Sequence, residues 1–325
     1  MKPRITTVGF LLIDGFSMMS FASAVEVLRQ ANDQAGTKLY DWFTSSVDAG
    51  AITCSAGIRI DASCDFDSAP LPDLLLVVSA TSSRLENEQS LHRRLRFLAS
   101  RGVRLGAVTY GAYLLARAGL LDGHRCTIHW ESLEAFREAF PGLDVTGDLF
   151  EIDDNRFTCS GGTAALDMML HFIGREHGEE FASKVADQFL HQRIRDRDEH
   201  QRMPLRVRLG ISHPKLLRYI ELLELDTDMT LSQRELAEEV GLSSRQLERL
   251  FQRYLNTTPS RYTMEHRLGR ARSLLRNTSL SIIEVAVACG FTSHSHFSKS
   301  YREHFGTTPR DERTPLIGRR ATISD

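Results

Sequence analysis

No stretch of this sequence is apolar for long enough to cross a bilayer, which takes about 20 mostly apolar residues as a helix. The N-terminal run, Thr6 to Phe16, is short and contains Asp14. Neither a membrane span nor a signal peptide is read there, and the cytoplasm is the expected compartment. Paired cysteines are also lacking. The five, at positions 54, 64, 126, 159 and 289, are odd in number and scattered, with no CxxC. That argues against a disulfide framework and against a zinc site. Charge of one sign is missing overall, since the net is −2 over 325 residues, yet its distribution is uneven. From His213 onward 17 Lys+Arg face 14 Asp+Glu, against 23 and 28 in the remainder, and between Met229 and Arg320 the count is 15 against 9. A basic segment on an acidic chain is the electrostatic footprint of nucleic-acid binding, although many solvated helical faces are basic too.

The length suggests two domains, and 42% hydrophobic with 25% charged residues suits ordinary buried cores. In the first half, continuous apolar runs read as buried strands: Ile5 to Ile13, Leu74 to Val78 and Arg104 to Thr109. Shorter strands are read at 39–47, 58–60, 125–128 and 149–152. Between them lie helical patterns at 17–31, 85–100, 112–118, 132–140, 164–175 and 179–194. Buried strands alternating with helices indicate a doubly wound α/β domain with a mostly parallel sheet. This domain is placed at 1–195, followed by a polar linker at 196–212.

From 213 to 314 everything reads as helix, and 315–325 as a flexible tail. Within this half one pattern occurs twice. Ser281 to Pro309 begins with a capping box, Ser281 with Glu284, and turns at Gly290 before a second helix capped by Ser293. Leu236 to Pro259 repeats it. Ala237, Gly241 and Ser244 match Ala286, Gly290 and Ser293 at an offset of 49; Leu247, Phe251 and Thr257 to Pro259 match Phe297, Tyr301 and Thr307 to Pro309 at an offset of 50. One residue is thus inserted in the second copy's second helix or its entry. A short helix, a glycine turn and a second helix with an exposed face of donors is the helix-turn-helix design, and internal repetition strengthens it.

Two such units joined by one helix, Ser260 to Arg276, can present two recognition helices to double-stranded DNA, whose major groove recurs about every 34 Å. The exposed residues are Ser244, Arg245, Gln246, Arg249 and Arg253 in the first unit and His294, Ser295, His296, Lys299 and Arg302 in the second. Arg and Gln can pair bidentately with base edges, and cations nearer the helix ends hold phosphates. His294 and His296 do not share a helical face, so no metal is expected, and nothing calls for a cofactor.

These residues resemble the DNA-binding domain of AraC/XylS-type transcription regulators. The resemblance is carried by ELAEEVGLSSRQLERLF, by the RL..AR.LL pattern from Arg267 to Leu275, and by SIIEVAVACGFTSHSHFSKSYREHFGTTP. It covers about 100 residues and implies promoter binding, usually activation, and possible contact with RNA polymerase.

The first half resembles the class I glutamine-amidotransferase-like, flavodoxin-like fold shared with intracellular peptidases. VGFLLIDGFSMMSFASAVEVL, AVTYGAYLLARAGLLDGHRCTIHWE and CSGGTAALDMMLHFI carry it. In active members a strained cysteine sits at the strand-to-helix turn. Here that position is Thr109 or, one register on, Tyr110. The nearest cysteine in sequence is Cys126, and Ser17 to Phe21 offers no carboxylate, although His129 remains. The resemblance therefore implies no catalytic residue but a ligand-sensing pocket walled by Phe16, Met18, Ser79, Ala80, Thr81, Thr109, Tyr110, His129 and Trp130. It also implies homodimerisation through this domain. The pairing of domains looks most like regulators of arginine, glycine betaine or carnitine catabolism, so the effector is an amino acid or a quaternary amine, for which Phe16, Tyr110, Tyr113 and Trp130 could form an aromatic cage. The alternative is an amidase or hydrolase with an appended DNA-binding domain.

Overall fold

The computed structural model describes residues 4–47, 50–80, 88–226, 231–278 and 280–313. It divides into two compact units, Met1–Gln201 and Arg202–Asp325.

The first unit is built on a seven-stranded sheet. Its order is Phe150–Asp153, Arg156–Cys159, Arg104–Thr109, Leu74–Ser79, Thr6–Leu12, Tyr40–Ser46 and Cys64–Asp65. Every neighbouring pair is parallel except the first two strands, which form an antiparallel edge hairpin. The central strands read as unbroken apolar runs because both faces are covered. Phe10, Leu12, Leu74, Leu76 and Val78 pack against Met18–Ala35, Ala164–His177 and Glu179–Gln188, while Leu11, Leu75 and Val77 pack against Glu88–Ser100, Gly111–Arg117 and Leu133–Ala139. Alternate residues therefore serve alternate cores. The sequence reading misses the strand Arg156–Cys159, whose four residues RFTC carry little apolar pattern. It enters the sheet because Phe157 and Cys159 fill the first core and because it pairs in register with 105–108.

The segment read as a linker is largely structured. His200 bridges Asp148, Gln201 Nε2 donates to the Asp148 and Ile128 carbonyls, and Ile211 is buried in the second unit behind a short helix, Leu205–Leu209. Gln201 looks solvated in sequence but bonds backbone of the fold, and Arg202 and Arg208 pair with Glu224, while most of the remaining polar residues are exposed. The expected tail, 315–325, lies outside the described residues.

Among its described residues the second unit has helices as its only regular elements. Pro214–Leu225 precedes the first pair, Gln233–Glu239 and Ser244–Leu255; Pro259–Asn277 follows, then Ile282–Ala288, His294–Phe305 and Pro309–Arg313. Leu216, Tyr219, Leu236, Leu247 and Phe251 form one core, with Tyr219 and Phe251 edge to face at 5.5 Å. Leu268, Ala271, Val285, Cys289, Phe297 and Tyr301 are buried in the second repeat, where the Phe291, Phe297 and Tyr301 rings follow one another, tilted and then edge to face, at 5.0 and 5.7 Å. No described helix is long and apolar enough to cross a membrane.

Candidate functional site

Two sites emerge, one in each unit. In the first, the strand Arg104–Thr109 stops at a residue with φ of 55°, Thr109, and the helix Gly111–Arg117 begins at once. Positive φ in a β-branched residue is unfavourable and marks a backbone held by its surroundings. It identifies Thr109, rather than Tyr110, as the turn residue. The turn is tight because Gly111 has no Cβ; one there would lie 2.2 Å from the Val77 carbonyl oxygen.

Around Thr109 the polar groups turn inward. Its hydroxyl lies against the carbonyls of Ser79 and Val108, the latter at 2.6 Å, and the residue is only 7% exposed. Ser79 is itself buried and pairs with Thr109 across the sheet, while the Tyr110 amide donates to the Ser79 carbonyl at 3.2 Å. Ser20, fully buried, accepts from the Gly162 amide at 2.7 Å. A Cβ on Gly161 would meet Thr109 Cγ2 at 1.9 Å and Ser20 Oγ at 3.2 Å, so Ser20 and Thr109 close on the same glycine. Ser17 to Phe21 carries no carboxylate, and Ser20 is the buried polar side chain of that stretch beside the elbow.

The thiol beside this elbow is Cys159, not Cys126. It pairs in register with Val108, and the amides of Thr109 and Gly161 donate toward its sulfur. Sequence reasoning passes over it because its strand is not legible. Burial nevertheless pushes the Cys159 thiol up to about 12, and Cys126 likewise. Neither is a thiolate at neutral pH, and nucleophilic catalysis needs the thiolate. The Thr109 hydroxyl is turned to backbone carbonyls rather than to a base. The elbow has a strained backbone, and neither these thiols nor the Thr109 hydroxyl is activated as a nucleophile.

The other residues assigned to the pocket are not equivalent. Phe16 is fully buried, edge to face with Phe21 at 5.9 Å, in the core on one side of the sheet. Tyr110 stacks on Tyr113 at 5.9 Å in the core of the other side, where Tyr113 also meets the edge of Phe136 at 4.8 Å. Phe16 and Tyr113 therefore cannot face one ligand, and an aromatic cage including both is not formed. Met18 and Ala80 are half-buried. His129 and Trp130 share one turn of 3-10 helix with rings 5.5 Å apart, and Trp130 is 38% exposed. Burial lowers the His129 pKa below its ordinary value, partly offset by Glu131, so the imidazole is neutral at physiological pH. Thr81 lies outside the described residues.

In the second unit the two repeats make matching turn and cap bonds. Gly241 and Gly290 both have left-handed φ, 63° and 72°. The Leu242 amide donates to Ala237 O at 2.8 Å, and the Phe291 amide to Ala286 O at 2.9 Å. Ser243 and Ser293 then cap the recognition helices, accepting from the amides of Gln246 and His296 at 3.3 and 3.4 Å. Thr258 and Thr308 cap the helices that follow. The equivalent of Ser293 is thus Ser243, not Ser244, and the extra residue is Thr292, in the turn before the cap. His294 corresponds to Ser244, Ser295 to Arg245, His296 to Gln246 and Lys299 to Arg249.

Ser244, Arg245, Gln246, Arg249, Arg253, His294, Ser295, His296, Lys299 and Arg302 are all exposed. Among the described residues Arg245, Arg249 and Arg302 have no ion-pair partner, while Lys299 lies 3.9 Å from Glu303 and Arg253 over the Tyr254 ring at 5.4 Å. Gln246 completes a capping box, its Oε1 accepting from the Ser243 amide at 2.9 Å. It can therefore offer a base its NH₂ group but cannot grip adenine bidentately without releasing the cap.

Comparison with known proteins agrees with both halves. A DJ-1/PfpI family model matches residues 6–175 and a helix-turn-helix domain model residues 236–314. The HTH-type transcriptional regulator GbdR of Pseudomonas aeruginosa is 50% identical over 94% of this chain and 84% of its own length. The regulator CdhR of the same species is 44% identical over 94% and 91%. A crystal structure of an AraC family transcriptional regulator from Pseudomonas putida is 29% identical with a TM-score of 0.53, covering 57% of this chain and 99% of that one. With relatives that are transcriptional regulators along nearly the whole chain, the protein is a DNA-binding regulator. It belongs to the family of HTH-type transcriptional regulators that join a DJ-1/PfpI domain to an AraC-type helix-turn-helix domain.

Proposed function

We propose that the first unit senses a small nitrogenous metabolite, an amino acid or a quaternary amine, at the elbow, and thereby controls promoter binding by the second unit at catabolic genes. The observation that carries this reading is the elbow itself. A strained backbone persists at Thr109 although its hydroxyl is bonded to the Ser79 and Val108 carbonyls and does no chemistry. Strain survives where the surrounding structure has a use for it. Ser79, Ala80, Thr109, Tyr110, His129 and Trp130 supply the ligand wall, with Met18 at its border. Neutral His129, the Trp130 face and Tyr110 suit a cation with apolar substituents. The second unit reads two successive grooves through the ten exposed residues named above, and homodimers on paired sites extend the target. Contact with RNA polymerase would complete an activator.

A thermal-shift screen of the full chain against glycine betaine, carnitine and L-arginine tests the sensing role. A compound that binds only the native state raises the midpoint with concentration, and Trp130→Ala should abolish the rise. If no member of either class shifts the midpoint, the first unit does not sense such metabolites.

A further inference from the structure

The chain leaves the first unit at Gln201 through a segment, His191 to Gln201, that is bonded to that unit along its length; its two ties through side chains, at Asp167 and at Gln201, border the proposed ligand wall. We propose that this segment is the transmission element of the regulator, with Arg195 and Gln201 as positioning residues that report the state of the ligand wall to the DNA-binding unit. The inference rests on the sensing role proposed above and adds how the signal leaves the site.

The first tie is a buried carboxylate. Asp167 is fully buried, and both its oxygens are taken by this segment. Oδ1 accepts from the Arg195 amide at 2.8 Å and faces His191 Nε2 at 2.8 Å; Oδ2 accepts from Arg195 Nε at 2.9 Å and Nη2 at 2.6 Å. The same Nη2 donates to Thr163 Oγ1 at 2.7 Å. Thr163 is the N-cap residue of the helix Ala164–His177, where a threonine hydroxyl would ordinarily accept from a backbone amide two or three residues on. It makes no such bond here. Its hydroxyl serves Arg195 instead. Thr163 directly follows Gly161 and Gly162, the glycines that close on Thr109 and Ser20. A shift at the elbow thus moves an acceptor of Arg195 through two peptide units.

The second tie lies on the other side of the wall. Gln201 Nε2 donates to Thr127 Oγ1, the Ile128 carbonyl and the Asp148 carbonyl at 3.1, 2.9 and 2.8 Å. Ile128 immediately precedes His129 and Trp130. A movement of that turn on ligand entry therefore moves an acceptor of Gln201. The root of the segment is itself strained: Leu190 has φ of 54° with its side chain 89% exposed. Between the ties, an Arg193–Glu199 pair at 2.5 and 2.8 Å and a bond from the Asp196 amide to Glu199 at 2.8 Å make the segment a compact loop. The Arg197 carbonyl also accepts from the Leu149 amide at 2.8 Å and His200 bridges Asp148, so the loop is fixed in the middle as well, and a movement of either wall acts on it through Arg195 or Gln201. The next residue, Arg202, opens the DNA-binding unit.

The test measures two equilibria on the full chain, for wild type, Arg195→Gln, Arg195→Lys and Thr163→Val. Binding of glycine betaine, carnitine and L-arginine is followed by thermal shift. Affinity for DNA from the chain's own upstream region is followed by anisotropy, with and without each compound. In wild type an effective compound should change DNA affinity about 5-fold or more, the usual lower size of a coupling between sites. In Arg195→Gln the compound should still bind within about threefold of wild type, and ligand-free DNA affinity should hold, but the compound should no longer change it. Arg195→Lys should restore the response in part, keeping one bond to Asp167. Thr163→Val removes only the Arg195–Thr163 bond and leaves the buried pair intact, so it remains informative if Arg195→Gln does not fold. Its response should be at least halved. If either folded variant, Arg195→Gln or Thr163→Val, keeps the full wild-type response, the transmission role is wrong while the sensing role stands. If no compound binds wild type, sensing and transmission fall together.

Discussion

At the scale of single residues, the elbow is where sequence and structure inform each other most. Thr109 and Gly161 are locked together, since a Cβ at Gly161 would meet Thr109 Cγ2 at 1.9 Å with φ already at 98°. Gly161→Ala should therefore destabilise the chain by about 3 kcal/mol, the upper part of the overpacking range. Thr109→Ser removes the colliding methyl, so the double variant should recover about 1 to 2 kcal/mol of that loss, with the backbone strain left over. Chemical denaturation of the four proteins of this cycle measures the coupling, and strictly additive losses would show that the two residues are not in contact. Much of this site was legible in the sequence. The missing cysteine and the missing carboxylate follow from AVTYGAYLL and SMMSF, and the turn to within one residue, Thr109 or Tyr110, a choice that the positive φ of Thr109 decides. Illegible were Ser20 and Cys159. Ser20 matters only through its bond to the Gly162 amide 142 residues away, and Cys159 through a strand with too few apolar residues to announce itself. The cage containing Phe16 and Tyr113 failed for a related reason, because the sheet that separates them is a three-dimensional fact.

At the scale of elements, helix ends were the most legible feature. Ser232 with Glu235 and Ser281 with Glu284 both form complete capping boxes, because a cap is set by residues three apart and needs no tertiary context. Helix starts under local control follow their sequence; strand pairing and turn length do not. That is why the extra residue of the second repeat was placed at the helix or its entry, whereas the cap bonds put it in the turn, at Thr292. The caps make a prediction. Ser293→Ala removes one bond, to the His296 amide, and should cost about 1 kcal/mol. Ser243→Ala also removes the hydroxyl's bond to Gln246 Oε1 at 3.0 Å, so it should cost more, up to about 2 kcal/mol. Both should weaken DNA affinity in the same order, since the frayed turns carry Arg245 and His294. Urea melts paired with anisotropy would settle it, and equal or reversed costs would contradict the assigned caps.

At the scale of the whole molecule, the chain has little general attraction for DNA. Its net charge is −2, and the excess of cations is confined to the stretch from Met229 to Arg320. Affinity must then come from few, well-placed cations, and Arg245, Arg249 and Arg302 have no ion-pair partner among the described residues to give up. Arg249 and Lys299 occupy the same place in the two repeats. If both repeats engage one duplex, the second binds at an effective concentration in the millimolar range, set by the helix Pro259–Asn277. Each substitution then undoes a joint event. Arg249→Ala and Lys299→Ala should each lower specific affinity about 5- to 150-fold, by the loss of about 1 to 3 kcal/mol per base contact. The combined Arg245→Ala, Arg249→Ala, Lys299→Ala chain should fall to the affinity it has for unrelated DNA. Because all three side chains are exposed, the thermal midpoint should stay within about 2 °C of wild type. A contact to phosphate rather than to a base would show itself differently, as a uniform loss on all sequences with the salt slope shallower by about 1 per residue. Anisotropy titrations at two salt concentrations, on operator and on unrelated DNA, separate the two. Sequence-specific binding that survives the triple substitution would mean that the faces of Ser244–Leu255 and His294–Phe305 are not what reads the promoter. Loss confined to Arg249, with Lys299 silent, would mean that one repeat reads and the other only supports it.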